Sequence, residues 1–220
     1  MHNNEIQTRS CPVCPVCGSS GSPLYRGLID PVFNAPNVWG MSKCDNPHCG
    51  TLWLDPMPEE ADLPKLYAGY YTHQTAAPSP DGSLRTMRGR MRAAYLHARF
   101  GYAARSTSWV DKLLGWVVHL YPAWKDSVQA SVFHLHAKPG GRLLELGCGS
   151  GAALQFMQEQ GWKAIGLDFD EGAVRNARSK GLDVRQGQLV AQGFADESFD
   201  AVVMSHVIEH VPSPVELLAE

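Results

Sequence analysis

Three groups of residues in this 220-residue chain have the types and spacing to do chemistry. The first is the loop Glu145-Leu146-Gly147-Cys148-Gly149-Ser150-Gly151, three alternating glycines directly after an apolar run. Glycines at these places remove the β-carbons that would block close backbone approach to a ligand. The second comprises Asp168, which ends Ile165-Gly166-Leu167-Asp168, and the downstream run Ser205-His206-Val207-Ile208-Glu209-His210. The third is a set of five cysteines between Cys11 and Cys49, with the sixth, Cys148, inside the glycine loop.

The glycine spacing alone admits two ligands, because Gly147 to Ala152 also satisfies the loose dinucleotide pattern G-x-G-x-x-G/A. Glu145 discriminates between them. A carboxylate at this position would repel the phosphates of NAD or FAD. S-adenosylmethionine (SAM) has no phosphate and carries an ammonium, a sulfonium and one carboxylate. Glu145 favours the ammonium, while the helix N-terminus after Gly151 receives the carboxylate. Asp168 suits both ribose hydroxyls, a feature common to either nucleoside. His206 is a candidate general base, since a neutral imidazole near pH 7 suits that task.

Strands are expected at Arg142–Leu146, Ala164–Leu167, Asp183–Gln186 and Phe199–Met204, with helices near 152–160, 171–180 and 212–219. Strand–helix alternation at this spacing implies right-handed crossovers and a parallel sheet with helices on both faces. Upstream, residues 83–137 read as two or three helices. Leu84, Met87, Met91 and Tyr95 recur at helical spacing, as do Trp109, Leu113, Trp116 and Val117. A short helix is expected near Ala61–Tyr67, followed by a loop ending in Pro78-Ser79-Pro80-Asp81-Gly82. The division is therefore 1–82, a cysteine-bearing module and linker; 83–139, a helical substrate or cap segment; and 140–220, the α/β part.

With Glu-x-Gly-Cys-Gly-x-Gly, Gly166-Leu167-Asp168-Phe169-Asp170, Asp196-Glu197-Ser198-Phe199-Asp200 and Ser205–Val211 in this order, the chain over 140–216 resembles class I SAM-dependent methyltransferases. The resemblance implies a doubly wound, mainly parallel Rossmann-like sheet in the strand order 3-2-1-4-5-7-6, of which four strands are legible here. It places Glu145, Gly147, Cys148, Gly149 and Gly151 on the methionine side of the cofactor and Asp168 at its ribose, with Phe169 packing on adenine and Ser205 nearby. Many relatives have an acidic adenine ligand after the third strand; Gln188-Leu189 stands here instead. A neutral amide is a weaker partner than a carboxylate, so Gln188 implies reduced affinity and an adenine resting partly on the backbone near Leu189. The chain stops in mid-helix at Val215–Glu220, and the fourth strand would be left as a hydrophobic sheet edge. The expectation is a C-terminally incomplete domain, itself poorly soluble and inactive.

The front cysteines read as a metal site rather than a disulfide framework, because no apolar stretch near the N-terminus resembles an export signal. Two separated cysteine pairs near turns close a tetrahedral zinc site, here Cys14, Cys17, Cys44 and Cys49. Cys44 and Cys49 are more widely spaced than usual, which leaves His48 as a competing ligand and Cys11 as a register alternative. The region also resembles the zinc-ribbon-like module found ahead of some bacterial class I methyltransferases of sugar, cell-envelope and secondary-metabolite pathways. Leu63, Tyr67, Tyr70 and Tyr71 echo the segment that follows in those proteins. Four thiolates leave no open position, so the zinc would be structural.

Residues 140–220 hold 6 Lys/Arg against 12 Asp/Glu, which argues against a phosphate-tracking surface there and against a nucleic-acid partner. In contrast, Arg85, Arg88, Arg90, Arg92, Arg99 and Arg105 form a run without acidic residues. It is either a solvated helix face or a site for an anionic acceptor. Tryptophans close by add a weak membrane-surface contact as a further reading. No stretch is long and apolar enough to span a bilayer, and the compartment expected is the cytoplasm. These residues imply methyl transfer to a small or carrier-linked metabolite. The competing readings are an RNA methyltransferase with a zinc module and a non-catalytic SAM-binding scaffold.

Overall fold

The structure, a computed structural model, describes residues 6–32, 34–67, 86–103 and 108–220. The expected linker at 78–82, together with Tyr70, Tyr71, Leu84, Arg85 and Arg105, lies outside the described residues. Two units are formed, Met1–Tyr71 with His206–Glu220, and Thr72–Ser205.

The strands of the first unit are β1 (Thr8–Arg9), β2 (Gly21–Leu28), β3 (Trp39–Cys44), β4 (Leu52–Leu54) and β5 (Met57–Pro58). They make a three-stranded antiparallel sheet, β2-β3-β4, and a β1-β5 pair. Gly21 is required by packing, since a β-carbon there would sit 2.3 Å from the Trp53 ring. The Trp53 indole in turn donates to the Cys11 carbonyl at 2.8 Å. A 3-10 turn at Glu60–Asp62 leads into α1 (Leu63–Tyr67). Asp62 accepts from the Gln7 amide and pairs with Lys65, which chiefly holds its carboxyl below the usual range.

The second unit opens with three helices, α2 (Met87–Phe100), α3 (Trp109–Val117) and α4 (Pro122–Ala130). Thr86 and Ser108 cap α2 and α3 by accepting from the amides three residues on, and α4 starts at a proline. Then β6 (Arg142–Leu146), α5 (Ala152–Glu159), β7 (Lys163–Asp168), α6 (Glu171–Ser179), β8 (Val184–Gln186) and β9 (Ala201–Met204) alternate. The four strands are parallel in the order β8-β7-β6-β9, which is 3-2-1-4 in the numbering of the sheet itself. β6 is buried along Leu143–Leu146, as a central parallel strand covered on both faces must be. Helices and sheet share one core, in which Tyr95, Phe100 and Val128 join Leu143, Leu154, Trp162 and Val184.

Two expectations shift. The fourth strand begins at Ala201 rather than Phe199. Asp200 is used to accept from the Arg142 amide at 2.7 Å and from Lys138, while Phe199 packs edge-on against Phe194. The helical period over 109–117 is correct, yet Trp109, Leu113 and Trp116 face outward, and Met87 is exposed as well. The last segment carries a 3-10 turn at Ile208–His210 and α7 (Pro214–Ala219). Among the described residues no helix is long and apolar enough to cross a membrane.

Candidate cofactor site and cysteine cluster

The glycine loop leaves β6 and enters α5 through three left-handed residues, Gly147, Gly149 and Gly151. Gly151 is doubly constrained, because its φ is +76° and a β-carbon would meet Leu182 Cδ1 at 2.4 Å. It stands at the N-cap of α5, where no side chain caps the helix. The first-turn amides therefore have no side-chain acceptor of their own, the arrangement that receives an anionic group. Gly166 on β7 serves the same loop from behind, since a β-carbon there would lie 2.6 Å from Cys148 Sγ. Periodicity gave no signal for this glycine; its packing requirement exists only once the strands are adjacent.

Asp168 is the centre of the arrangement. One carboxylate oxygen accepts from the Gly149 amide at 2.7 Å and the other from the Asp170 amide at 2.9 Å. The residue read as a ribose ligand is thus also a clasp joining the glycine loop to the start of α6. Glu145 is only 5% exposed, and its Oε2 has no hydrogen-bond partner. Burial, with Asp168 adding, pushes its carboxyl up to about 8. The Cys148 thiol is pushed up to about 12, again chiefly by burial. An orphaned buried carboxyl oxygen beside a helix N-terminus fits a ligand bearing both an ammonium and a carboxylate. A phosphate would give that carboxyl no cationic partner.

Phe169 is largely exposed beyond β7. Around it Gln186 donates to the Phe169 carbonyl, and the Gln192 amide donates to the carbonyls of Gln186 and Gln188. Leu189 precedes the 3-10 turn Val190–Gln192. Gln186 and Gln192 were not singled out by sequence, because their role is to tie loop carbonyls together and carries no spacing signature. Ser205 is exposed just past β9. Next to it His206 has a left-handed φ of +55°, and its Nδ1 lies 3.3 Å from Glu209 Oε1. The Glu209 carboxyl is held low, first by its own backbone amide and further by His210 and His206.

Of the arginines, Arg90 pairs with buried Asp111 at 2.9 Å. The Arg92 guanidinium lies 4.0 Å over the Phe156 ring, half-buried. These two are engaged inside the helical layer, which removes them from an exposed anion-binding face.

In the other unit, Cys14, Cys17, Cys44 and Cys49 converge, with all four sulfurs within 4.8 Å of one another. The first knuckle is closed by the Gly18 amide on the Cys14 carbonyl and the Cys14 amide on the Ser19 carbonyl. The second is an Asx turn: Asn46 Oδ1 accepts from the His48 amide, and its carbonyl accepts from the Cys49 amide. That turn absorbs the extra residues between Cys44 and Cys49 and directs His48 to solvent, outside the cluster. Cys11 is buried nearby with its thiol on the Val13 carbonyl, also outside the four. Hydrogen bonds, chiefly from Ser19, bring the exposed Cys17 thiol down to about 6, whereas burial takes Cys44 up to about 12. The Cys14–Cys49 and Cys17–Cys44 sulfur separations are 3.8 and 3.4 Å. Thiolates around a tetrahedral zinc at ~2.3 Å stand about 3.8 Å apart, so the donor set fits that ion.

Residues 144–220 match the family described as "Methyltransferase domain". A ubiquinone biosynthesis O-methyltransferase of Hahella chejuensis is 36% identical over 90 residues, covering 38% of each chain. A probable S-adenosylmethionine-dependent methyltransferase of Mycolicibacterium smegmatis is 34% identical over 87 residues, 39% of this chain and 34% of that one. A demethylmenaquinone methyltransferase of Renibacterium salmoninarum is 35% identical over 86 residues, 38% of this chain and 36% of the relative. Among solved structures, a SAM-dependent methyltransferase of Mesorhizobium loti is 26% identical with a TM-score of 0.38, covering 41% and 44%. Residues 144–220 are thus similar to SAM-dependent methyltransferase domains. The chain spans only 38% of the length of the Hahella relative.

Proposed function

We propose that the protein transfers a methyl group from SAM to a small or carrier-linked metabolite, and that a structural zinc organises its N-terminal module. The observation that carries the cofactor reading is Glu145, a buried carboxyl with an unpartnered oxygen at the mouth of the glycine loop. SAM, when bound, supplies a methyl group on a sulfonium. Glu145 receives the ammonium, the open N-terminus of α5 the carboxylate, and Asp168 the ribose hydroxyls while it keeps its hold on Gly149. Gln188, Leu189 and Phe169 border the adenine, and the Cys148 backbone and Ser205 line the remainder. His206 takes the proton from the acceptor; its contact with Glu209 favours a proton on Nδ1, leaving Nε2 as the base.

The names of the relatives favour an oxygen acceptor on a small molecule, including a quinone-type ring. We assign 1–82 to the zinc module and linker, 83–139 to a substrate or cap region, and 140–220 to the methyltransferase domain, working in the cytoplasm. Calorimetric titration with SAM and NADH tests the cofactor; tighter binding of NADH overturns it. Methyl-label transfer into a metabolite extract, followed by mass identification, names the acceptor. Elemental analysis of reduced protein should find about one zinc per chain, as a four-thiolate site holds one ion.

A further inference from the structure

An amphipathic helix ordinarily buries its apolar stripe, and α3 does the reverse. Its inner face is Asp111 and Gly115. Asp111 is held by Arg90 at 2.9 Å and by the Ser108 hydroxyl at 2.7 Å. Gly115 lets α3 approach α2 so closely that a β-carbon would stand 3.0 Å from the backbone of Ala94 and Tyr95. Val118, fully buried, anchors the far end. The orientation is fixed from three sides, so the outward face is built into the packing.

That outward face is Trp109, Leu113, Trp116, Leu120 and Tyr121. Trp109 is 76% and Trp116 59% exposed, whereas Trp39, Trp53 and Trp162 are each 7% or less. Lys112 is exposed and, at about 100° per residue, falls beside Trp116 on the same arc. The described residues from 86 to 137 carry six Lys/Arg and two Asp; Arg90 is paired with Asp111 and Lys125 with Asp126, which leaves a net excess of four cations.

We propose that α3 and the turn after it are a docking face for an anionic lipid surface, with the tryptophans, leucines and Tyr121 in the headgroup layer and Lys112 on lipid phosphate. Tryptophan and tyrosine with flanking cations are the composition of an interfacial helix. Charge selects this occupant over a second copy: a two-fold interface would set the cationic surroundings against themselves. The inference stands independently of the methyl-transfer reading.

The test uses the whole chain with vesicles of phosphatidylcholine alone or mixed with phosphatidylglycerol. Co-sedimentation should favour the mixed vesicles, weaken with salt and be accompanied by quenching of tryptophan emission by brominated lipid. Replacing Trp109→Ser and Trp116→Ser together should lower partitioning about tenfold or more, while Lys112→Glu lowers it only on anionic vesicles. Both tryptophans are solvent-facing, so the melt and SAM affinity of the double variant should match the parent. Equal binding of parent and double variant overturns the proposal, as does no binding at all. Concentration-dependent self-association abolished by the double variant also overturns it, in favour of a second copy.

Discussion

Around the cysteine cluster the buried apolar set is Cys11, Cys14, Cys44 and Trp53, with Cys49 and Met57 against it. Around the glycine loop, among the described residues, it is a set of 18 drawn from α2, α4 and the turns beside the upstream helices, and from the sheet and its own helices. Both regions gather their candidate ligand groups on short loops between strands, but only the second has apolar burial enough to hold those loops without a ligand. A core of a few side chains cannot offset the conformational entropy of ordering its strands, and modules of that size rely on metal or disulfides. The contrast teaches where each ligand's energy goes. A metal at the cysteines would supply folding energy; a cofactor at the glycine loop would contribute binding energy.

The largest effect should come from removing zinc. Structural zinc in small modules contributes about 10 kcal/mol or more, so chelation, or Cys14→Ser with Cys49→Ser, should unfold the first unit. Amide hydrogen exchange should then show residues 8–58 unprotected and β6 to β9 still protected. Protection of both regions after complete metal loss would break the comparison.

Next is Gly151→Val. A left-handed φ costs a substituted residue ~1–2 kcal/mol and a clash with Leu182 another ~1–3 kcal/mol, so the second unit should melt several degrees lower and lose SAM binding. Gly149→Ala is the control: its φ is +53° but nothing lies within 4 Å of the new methyl, so only the backbone cost should appear. Equal melting of the two variants would show that the Leu182 contact does not matter.

Asp168→Ala removes two amide acceptors and the ribose ligand together. Hydrogen bonds to a charged group are worth about 1.5–3 kcal/mol each, so SAM affinity should fall at least tenfold, read by calorimetry. An unchanged affinity would sink the ribose assignment.

The smallest effect sharpens the contrast through pH. Glu145 has a folded pKa of about 8, raised above its ordinary value by burial and by Asp168. A carboxyl shifted in this direction stabilises the fold at low pH, and that contribution is lost as pH rises from the ordinary carboxylate range to about 8. Glu145→Gln should therefore stabilise the cofactor-free protein at pH 8 while weakening SAM. In the parent, SAM binding at neutral pH should release a proton and tighten toward pH 8, seen by calorimetry in buffers of different ionisation enthalpy. No proton release would remove Glu145 from the ammonium.

Much of the α/β half is legible because parallel strands are continuous apolar runs and their turns are glycine-rich. Arg142–Leu146 is read to the residue. The cysteine ligands are narrowed but not chosen by spacing. What excludes His48 is the Asx turn at Asn46, a hydrogen-bond choice invisible until the backbone is placed. In α3 periodicity gives the helix but not its face, because the inner face is decided by one glycine and one ion pair rather than by hydrophobicity. Asp168 is read by its end-of-strand position, yet its second role as a clasp needs the loop to be beside it.

The sealed thiol of Cys148 gives this chain a clock of its own. It lies behind the glycine loop, buried against Gly166, and burial keeps it protonated. An alkylating reagent should reach it only when the structure around the loop opens, whereas Cys17 is already at the surface, Cys49 is half-buried and Cys14 and Cys44 are buried in the cluster. With zinc bound, labelling should proceed in separate kinetic classes, the cluster at the rate of local opening and Cys148 at the rate of global unfolding. One reagent and one mass spectrum would then time the two halves of the molecule in the same tube.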